Sequence, residues 1–388
     1  MTRVLISGGG IAGSALAILL GRQGIEVELF ERRAFPHEKP CGEGLMPAGV
    51  SVVERMGLQE AVGGEPFYGV RYHFGDFAVE GRFPSQDGRP SMGWGQRRLK
   101  LDEALFRTAS AMPGVTAHVR ARVDGPLVEG GRVGGLIVDG EPRRGSLVVA
   151  ADGIDSPIRK AVGLDMPPRR KRFGVCAHFR LADGREQPPW VDVFVRKGYE
   201  LYVTPLPARE VLVAALVEAG AMEGTAEQAY SRWLQAEPVL AERLEGAEQI
   251  TPIAGRSPLT SRARSGVAQG LVLLGDAAGF VDPITGGGMA QALVSAELLA
   301  RYAANCGLAK HDAWLDAFDR ERNATLRDYR ILTNAMLWLA SRPRLARNAF
   351  RAMTATPRLF SHLLGVSGGF RTFLGSSMSA SVGDSPSS

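Results

Sequence analysis

The sequence predicts an α/β fold in which a Rossmann-like nucleotide-binding domain carries an inserted antiparallel β-sheet and a C-terminal helical extension. Three observations predict it. A strand, a glycine-rich turn, a helix and a second strand open the chain; short alternating segments with Gly and Pro turns follow; and the pattern becomes helical after about residue 305. At 388 residues the chain is long enough for one large domain with an embedded second domain.

Composition narrows the class of protein. The contents of hydrophobic residues, 45%, and of charged residues, 22%, are ordinary for a soluble globular protein. Cys41, Cys176 and Cys306 lie far apart without CxxC spacing, so we expect no disulfide framework, no metal site and a cytoplasmic location. The net charge of +5 comes from scattered arginines with no aromatic-interleaved basic block, which argues against a nucleic-acid partner.

The N-terminal segment "VLISGGGIAGSALAILLGRQGIEVELFE" has the layout of a dinucleotide-binding unit. Gly8 permits a tight turn, Gly10 lets the backbone approach a pyrophosphate, and Gly13 lets the helix pack closely on the strand. Glu31, 18 residues after Gly13, ends the second strand, where an acid accepts hydrogen bonds from ribose hydroxyls. A signal peptide is the weaker interpretation of the apolar run "IAGSALAILLG", because the run follows a strand and three glycines.

Two later segments repeat a strand that ends in an aspartate. "LVVAADG" places Asp152 and Gly153 after a buried strand, and "LVLLGDAAGFVDPITGGGMAQAL" places Gly275 and Asp276 after another. Ligands of open α/β sheets bind at the carboxyl ends of the strands, so an Asp here can hold a hydroxyl of the ligand. The N–H groups of 286–289 can face its ring or phosphates.

These three motifs, in this order, resemble the FAD-dependent para-hydroxybenzoate hydroxylase superfamily, over approximately residues 1–300. The resemblance implies bound FAD, reduced by NAD(P)H without a second Rossmann domain. A fourth match, "GQRRLKLDEALFRTA", implies that Arg98 contacts the cofactor, with Arg97 and an exposed, non-functional Arg98 as alternatives. The predicted cofactor-binding residues are Gly8, Gly10, Ile11, Ala12, Gly13, Glu31, Arg32, Arg98, Val123, Asp152, Gly153, Gly275, Asp276, Gly286, Gly287, Gly288 and Met289.

The resemblance also divides the chain. The FAD-binding domain is expected in residues 1–75, 97–165 and 255–305, and a substrate-binding sheet in 76–96 and 166–254. In the resembled fold this sheet covers the flavin, and we expect its aromatic residues to be mostly core, whereas His73 is expected to face solvent. C-terminal helices are expected over 306–375 and a disordered tail over 376–388. We favour packing of these helices onto the FAD-binding domain over contact with a membrane surface.

A flavin, rather than side chains, is expected to carry the chemistry. The segment "KPCGEGL" resembles the Cys-Gly-rich loop of geranylgeranyl reductases, but Glu200, Tyr202 and Thr204 replace the Tyr, Trp and Phe of their prenyl-pocket motif. The first hypothesis is therefore a monooxygenase of secondary metabolism. It would hydroxylate or epoxidise a lipophilic or aromatic substrate with NAD(P)H and O2, through a flavin hydroperoxide. The alternative is reduction of C=C bonds in a prenyl-like chain, and the least favoured is a non-catalytic flavoprotein; a monomer and a homodimer are both open.

Cys41, Pro283 and Tyr202 are the predicted residues of the catalytic pocket. Gly42 and Gly44 around the cysteine suit a backbone that approaches a ring closely. We interpret Cys41 first as pocket wall and second as a proton donor or ring contact, with Lys39, its nearest cation in sequence, directed away.

Overall fold

The computed structural model describes residues 3–75, 77–86, 88–218, 220–308 and 312–375. The predicted tail at 376–388 lies outside these ranges. In chain order the strands are β1 Arg3–Ser7, β2 Glu26–Glu31, β3 Gly44–Leu45, β4 Glu65–Phe67, β5 Gly69–Phe74, β6 Phe77–Arg82, β7 Gly93–Gly95, β8 Val115–Val119, β9 Val123–Glu129, β10 Arg132–Val138, β11 Glu141–Arg144, β12 Leu147–Ala150, β13 Asp165–Met166, β14 Arg172–Arg180, β15 Val191–Val195, β16 Tyr199–Leu206, β17 Glu210–Glu218, β18 Glu248–Gln249, β19 Ala254–Arg256, β20 Arg262–Ala263, β21 Val267–Ala268 and β22 Leu271–Leu273. The helices are α1 Ile11–Arg22, α2 Pro47–Arg55, α3 Gln59–Val62, α4 Arg98–Ser110, α5 Pro157–Ala161, α6 Ala226–Gln235, α7 Pro238–Arg243, α8 Gly288–Cys306, α9 Asp312–Thr325, α10 Arg327–Ala340, α11 Pro343–Thr354 and α12 Pro357–Ser367, with 3₁₀ turns at Gly275–Ala278 and Pro283–Thr285.

The first sheet has the order β21-β22-β12-β1-β2-β8 and is parallel from β22 to β8. Strands β1 and β12 read as continuous apolar runs because both of their faces are covered. Helices α1, α4 and α8 pack on this sheet in one large core, and the α/β prediction is confirmed. The carboxyl ends of β1, β12 and β22 therefore meet at one edge, where the three predicted motifs come together.

The second sheet has the order β18-β14-β17-β16-β15-β5-β6 and is antiparallel except for the parallel pair β5–β15. Strand β5 belongs to this sheet, so the boundary placed at residue 75 falls after the strand rather than before it. Short strands β3, β4 and β7 connect the two layers. Strand β6 alternates buried and exposed residues because one of its faces is covered, whereas β17 is buried along most of its length.

The C-terminal helices pack differently from the expectation. Helix α9 lies against the first domain, but α11 and α12 cover the second sheet, where Phe350, Phe360 and Leu364 pack on Tyr72 and Phe74. This placement corrects the expectation that the whole extension packs on the FAD-binding domain. Within the ranges described, no helix is both long enough and apolar enough to cross a bilayer.

Candidate active site

The turn between β1 and α1 has the close packing that its glycines predict. Gly8 adopts φ +103°, and a Cβ there would lie 2.4 Å from the carbonyl oxygen of Ala151. A Cβ on Gly13 would lie 1.9 Å from the carbonyl oxygen of Gly8. By contrast, a Cβ on Gly10 would meet only the Lys39 Nζ, at 3.7 Å. The turn is thus tight on its protein side and open on the side where a ligand would approach.

Glu31 lies beside this turn at the end of β2. Its Oε2 accepts a hydrogen bond from the Gly9 N–H at 2.9 Å, and its Oε1 accepts one from the Arg33 N–H at 3.0 Å. Arg32 is exposed next to it, and Val123 begins β9 close by, since the Ala121 N–H donates to the Glu31 carbonyl at 3.0 Å. Ile11 and Ala12 are buried at the start of α1. The carboxylate is therefore fixed next to the open turn.

Asp152 follows β12 at the same edge. Both of its carboxylate oxygens are buried, and neither has a hydrogen-bond partner of normal geometry among the described residues. Burial raises the pKa of this carboxyl to about 6. Next to it, Gly153 has φ +85° and open space where a Cβ would point. An orphaned buried carboxylate beside a clear backbone surface is the arrangement expected of a group that binds a ligand hydroxyl.

Asp276 and Arg98 face one another across the same cleft. Burial raises the pKa of Asp276, and the charges of Lys39 and Arg98 oppose that rise. Arg98 is buried and donates to both oxygens of Asp102, at 3.0 and 2.8 Å, so the alternative of an exposed Arg98 is wrong, and its contact with the cofactor stays a prediction. Arg97 instead pairs with Glu38 on the outer side. The Lys39 Nζ lies near Gly10 and adds a cation that the sequence analysis did not assign to the cofactor.

The loop of Pro283–Gly288 is held from the C-terminal extension. The Gly287 N–H donates to the Tyr329 hydroxyl oxygen at 3.2 Å, and the Thr285 hydroxyl donates to the same oxygen at 2.6 Å. Thr333 Oγ1 lies 2.9 Å from Thr285 Oγ1. Gly286 is exposed, with φ +70°. The loop thus exposes Gly286, while Tyr329 on α10 anchors Gly287, a contact with no local signal in the sequence.

Cys41 lies where the loop of 40–45 meets the start of α8. Its thiol is 4.0 Å from the Met289 sulfur, and the Glu43 N–H donates to the Cys41 sulfur at 3.4 Å. Burial by itself lowers the pKa of the Arg98 guanidinium, but the neighbouring Asp102 and Cys41 outweigh burial and raise that pKa. The structure therefore places Cys41, Met289 and Arg98 together at one end of the cleft.

A buried chain behind Cys41 was missed by sequence reasoning. Glu43 is 2% exposed with φ +56°, and its Oε2 lies 2.8 Å from His178 Nε2 on β14. His178 Nδ1 lies 2.9 Å from Thr251 Oγ1, and Glu43 Oε1 accepts from the Arg98 N–H at 2.7 Å. Glu43 and His178 are 135 residues apart, so only the fold brings them together. This chain fixes the cysteine loop to the second sheet.

The second sheet contributes polar groups where an aromatic pocket is expected. Arg172 donates to Asp282 Oδ1 at 2.7 Å and pairs with Glu200, and all three side chains are buried. Burial raises the pKa of Glu200 to about 7, against the opposing charge of Arg172. The half-buried Tyr202 donates its hydroxyl to the Ile284 carbonyl at 3.1 Å, next to the predicted Pro283. Tyr202 therefore lies next to the loop that contains Pro283, and the catalytic role of both residues stays a prediction.

His73 does not face solvent, contrary to expectation. It is 7% exposed, its Nε2 lies 2.7 Å from Asp192 Oδ1, and its ring stacks on Phe194 with centroids 4.3 Å apart. Asp192 is fully buried in the adjacent strand β15 and also pairs with Arg243. The histidine is inside because the buried carboxylate requires partners.

An FAD fits these residues. The open turn at Gly10 with Lys39 suits a pyrophosphate, Glu31 suits a ribose, and the orphaned Asp152 suits a hydroxyl donor. Fold and site together define a flavoprotein built on the para-hydroxybenzoate hydroxylase plan. The chain belongs to the FAD binding domain family, whose sequence model matches residues 1–329, and it is an FAD-dependent oxidoreductase.

Similarity extends to named proteins. The digeranylgeranylglycerophospholipid reductase of Methanocella arvoryzae is 29% identical over 78% of this chain and 77% of its own length. The menaquinone reductase of Mycolicibacterium smegmatis is 28% identical over 80% of this chain and 78% of its own. A flavoprotein/dehydrogenase structure from Cytophaga hutchinsonii superimposes with a TM-score of 0.84 at 21% identity, covering 95% of this chain and 93% of that one, which establishes the shared fold.

Proposed function

We propose that this oxidoreductase saturates a C=C bond in a lipophilic, isoprenoid-type chain. Two relatives that each cover more than three quarters of the chain are named as reductases, one of a digeranylgeranyl lipid and one of menaquinone. This reverses the order of the two hypotheses drawn from the sequence, in which oxygenation came first. The proposal depends chiefly on the position of the Cys41 thiol.

The chain's residues would hold FAD along the cleft. Lys39 and the turn at Gly10 would take the pyrophosphate, Glu31 the ribose, and Asp152 and Asp276 the linker between phosphate and ring. When bound and reduced, FAD supplies a hydride for the substrate, and we propose NAD(P)H as the source of its electrons.

Saturation of an alkene also needs a proton on the second carbon, and Cys41 carries the observation that supports this step. Its weakly acidic thiol lies 4.0 Å from the Met289 sulfur at the start of α8, and the Glu43 N–H holds the sulfur in place. In the proposed step the S–H bond breaks as the new C–H bond forms, and the thiolate regains its proton from water. The Glu43–His178 pair positions the loop that aims the thiol.

Oxygenation is the second candidate, because one observation favours it. Glu200 and Thr204 stand where a prenyl pocket of the resembled reductases has aromatic residues, and Glu200 lies in a buried network with Arg172 and Asp282. Such a wall suits a smaller, more polar substrate than a C20 chain.

The test uses the FAD-loaded protein, photoreduced under nitrogen and mixed with geranylgeranyl glycerophospholipid or menaquinone. Reduction predicts a product that gains two hydrogens, and in D2O the saturated bond carries deuterium. Cys41→Ser should keep FAD and lose most of the turnover. A product labelled from ¹⁸O2 in air, with no saturated product under nitrogen, would establish oxygenation instead.

A further inference from the structure

A cavity of about 250 Å³ lies outside the proposed active site, between strand β20, the segment 278–281 and helices α9 and α10. Six arginines line it, accompanied by a single carboxylate, that of Asp319. The arginines are Arg169, Arg170, Arg262, Arg264, Arg322 and Arg330. The fold therefore brings these six arginines, which are scattered in the sequence, to one cavity.

Arg322 and Arg330 place two positive charges in this cavity, and Asp319 is the one carboxylate in its lining. Arg322 is 4% exposed, and its Nη2 donates to Asp319 Oδ1 at 2.8 Å, while its Nε is buried without a hydrogen-bond partner. The other oxygen of Asp319 accepts from the Gly266 N–H at 3.3 Å. Burial and the charge of the neighbouring Arg322 together lower the pKa of Arg330 to about 10. An unpaired buried guanidinium N–H calls for an acceptor.

The outer wall adds three exposed arginines. Within the described part of the chain, Arg169, Arg170 and Arg264 form no ion pair, whereas Arg55 and Arg144 elsewhere on the surface each pair with a glutamate. Thr260, Ser261, Ser265 and Asn334 complete the lining with hydroxyl and amide groups. The lining thus offers donors in excess of acceptors.

We propose that this cavity binds a phosphate or diphosphate ester. Several guanidinium groups around one small cavity match the planar, bidentate recognition of phosphate oxygens, and the charge excess requires an anion. The proposal does not rest on the proposed reaction, because the cavity lies behind the segment 278–281 and binding is measured without turnover.

Helix α10 lines the cavity and also carries exposed apolar side chains, which bears on the source of the phosphate. Arg330 and Asn334 line it, and Trp338 follows at the same spacing on α10 with 52% of its surface exposed. Ile331, 51% exposed, lies on the adjacent stripe. The same phosphate chemistry is carried by a soluble diphosphate ester, by NADPH and by a phospholipid headgroup, and these sources differ in their need for the apolar surface.

The experiment is calorimetric titration of the FAD-loaded protein with inorganic pyrophosphate at low salt. We expect binding that weakens as salt rises, and a roughly tenfold to hundredfold loss of affinity in Arg330→Gln, the size expected for removing a charge-assisted hydrogen bond. The double variant R169Q/R170Q, which changes two exposed side chains, should weaken binding without affecting folding. Arg358→Gln, an exposed arginine on α12, is the matched control and should bind as the unmodified protein does.

Absence of pyrophosphate binding by the unmodified protein, or equal binding by R330Q and R358Q, would overturn the proposal. Competition of NADPH, but not NADH, with pyrophosphate would identify a dinucleotide phosphate as the source. Vesicles of anionic phospholipid that compete only when Trp338 is intact, with Trp338→Gln as the variant, would identify a headgroup. Vesicle binding that is unaffected by R330Q would place the lipid on the surface and not in the cavity, and would exclude a headgroup as the source of the phosphate.

Discussion

Tyr329 provides a direct test of whether the C-terminal extension supports the cofactor loop. Its hydroxyl oxygen accepts from the Gly287 N–H and from Thr285, and the side chain is 4% exposed. Tyr329→Phe removes this acceptor without creating a large cavity. Thr285 keeps Thr333 as a partner, but Gly287 loses the partner described here.

The magnitude follows from the buried N–H that is left unsatisfied. Such a group costs about 1–3 kcal/mol, which corresponds to roughly a 5- to 150-fold change if all of it falls on FAD binding. Because the loop relaxes in part, we expect the dissociation constant for FAD to rise about tenfold and the melting temperature of the apoprotein to fall by a few degrees. Gly287→Ala reaches the same contact from the other side, since its Cβ would lie 2.3 Å from Tyr329 Cε2.

The assay is a titration of apoprotein with FAD followed by flavin fluorescence, alongside a thermal melt. Tyr230→Phe is the matched control, because Tyr230 is equally buried and donates to the Val213 carbonyl at 2.7 Å in the second sheet, away from the loop. It should lower the melting temperature and leave FAD affinity unchanged. An equal loss of FAD affinity in Y329F and Y230F, or unchanged affinity in Y329F and G287A, would refute the tether.

Three further outcomes are expected. Gly13→Ala should yield colourless protein that does not retain FAD on gel filtration, since its Cβ would lie 1.9 Å from the Gly8 carbonyl oxygen; retained FAD would contradict the tight turn. The Asp152 carboxyl has a pKa raised to about 6, and ligand hydroxyl donors favour its charged form, so FAD affinity should increase as the pH rises from about 4 to about 6 and then level off. Asp152→Asn should flatten that part of the pH profile in fluorescence titrations, and an unchanged profile would assign the proton to another group. His178→Phe should leave FAD bound but lower turnover by at least tenfold, because Glu43 Oε2 loses its contact with His178 and the Cys41 loop loses this anchor. Steady-state rates at unchanged FAD content check this, and unchanged rates would contradict it.

Sequence reasoning succeeded where function depends on residues close together in the chain. The turn at Gly8–Gly13 and the aspartates after β12 and β22 were predictable, because a strand, a glycine and an acid at fixed spacing determine their own geometry. Arg98 was found through the helix that it begins. These local signals were enough for the fold and for FAD as the cofactor, and the residues assigned to its binding stay predictions.

The rest depends on contacts that no local pattern records. Glu43 meets His178 across 135 residues, and His73 is buried because Asp192, on another strand, needs a partner. Alternation along β5 says which residues share a face but not what the neighbouring strand places opposite. For the same reason the arginine cavity was invisible, since α9, α10 and β20 supply its walls from separate parts of the chain.

The tether at Tyr329 has a consequence for how this chain can be divided and how it can evolve. The family match ends at residue 329, inside α10, yet Thr333 and Ser367 beyond it bond to Thr285 in the loop. A protein shortened to residues 1–329 would keep every residue proposed to hold the cofactor. It would lose Thr333 and Ser367, which bond to Thr285 in the loop of Pro283–Gly288. Substitutions in the C-terminal helices can therefore change the position of the loop of Pro283–Gly288 without contacting the cofactor. Chimeras between relatives should exchange this loop and the C-terminal helices together.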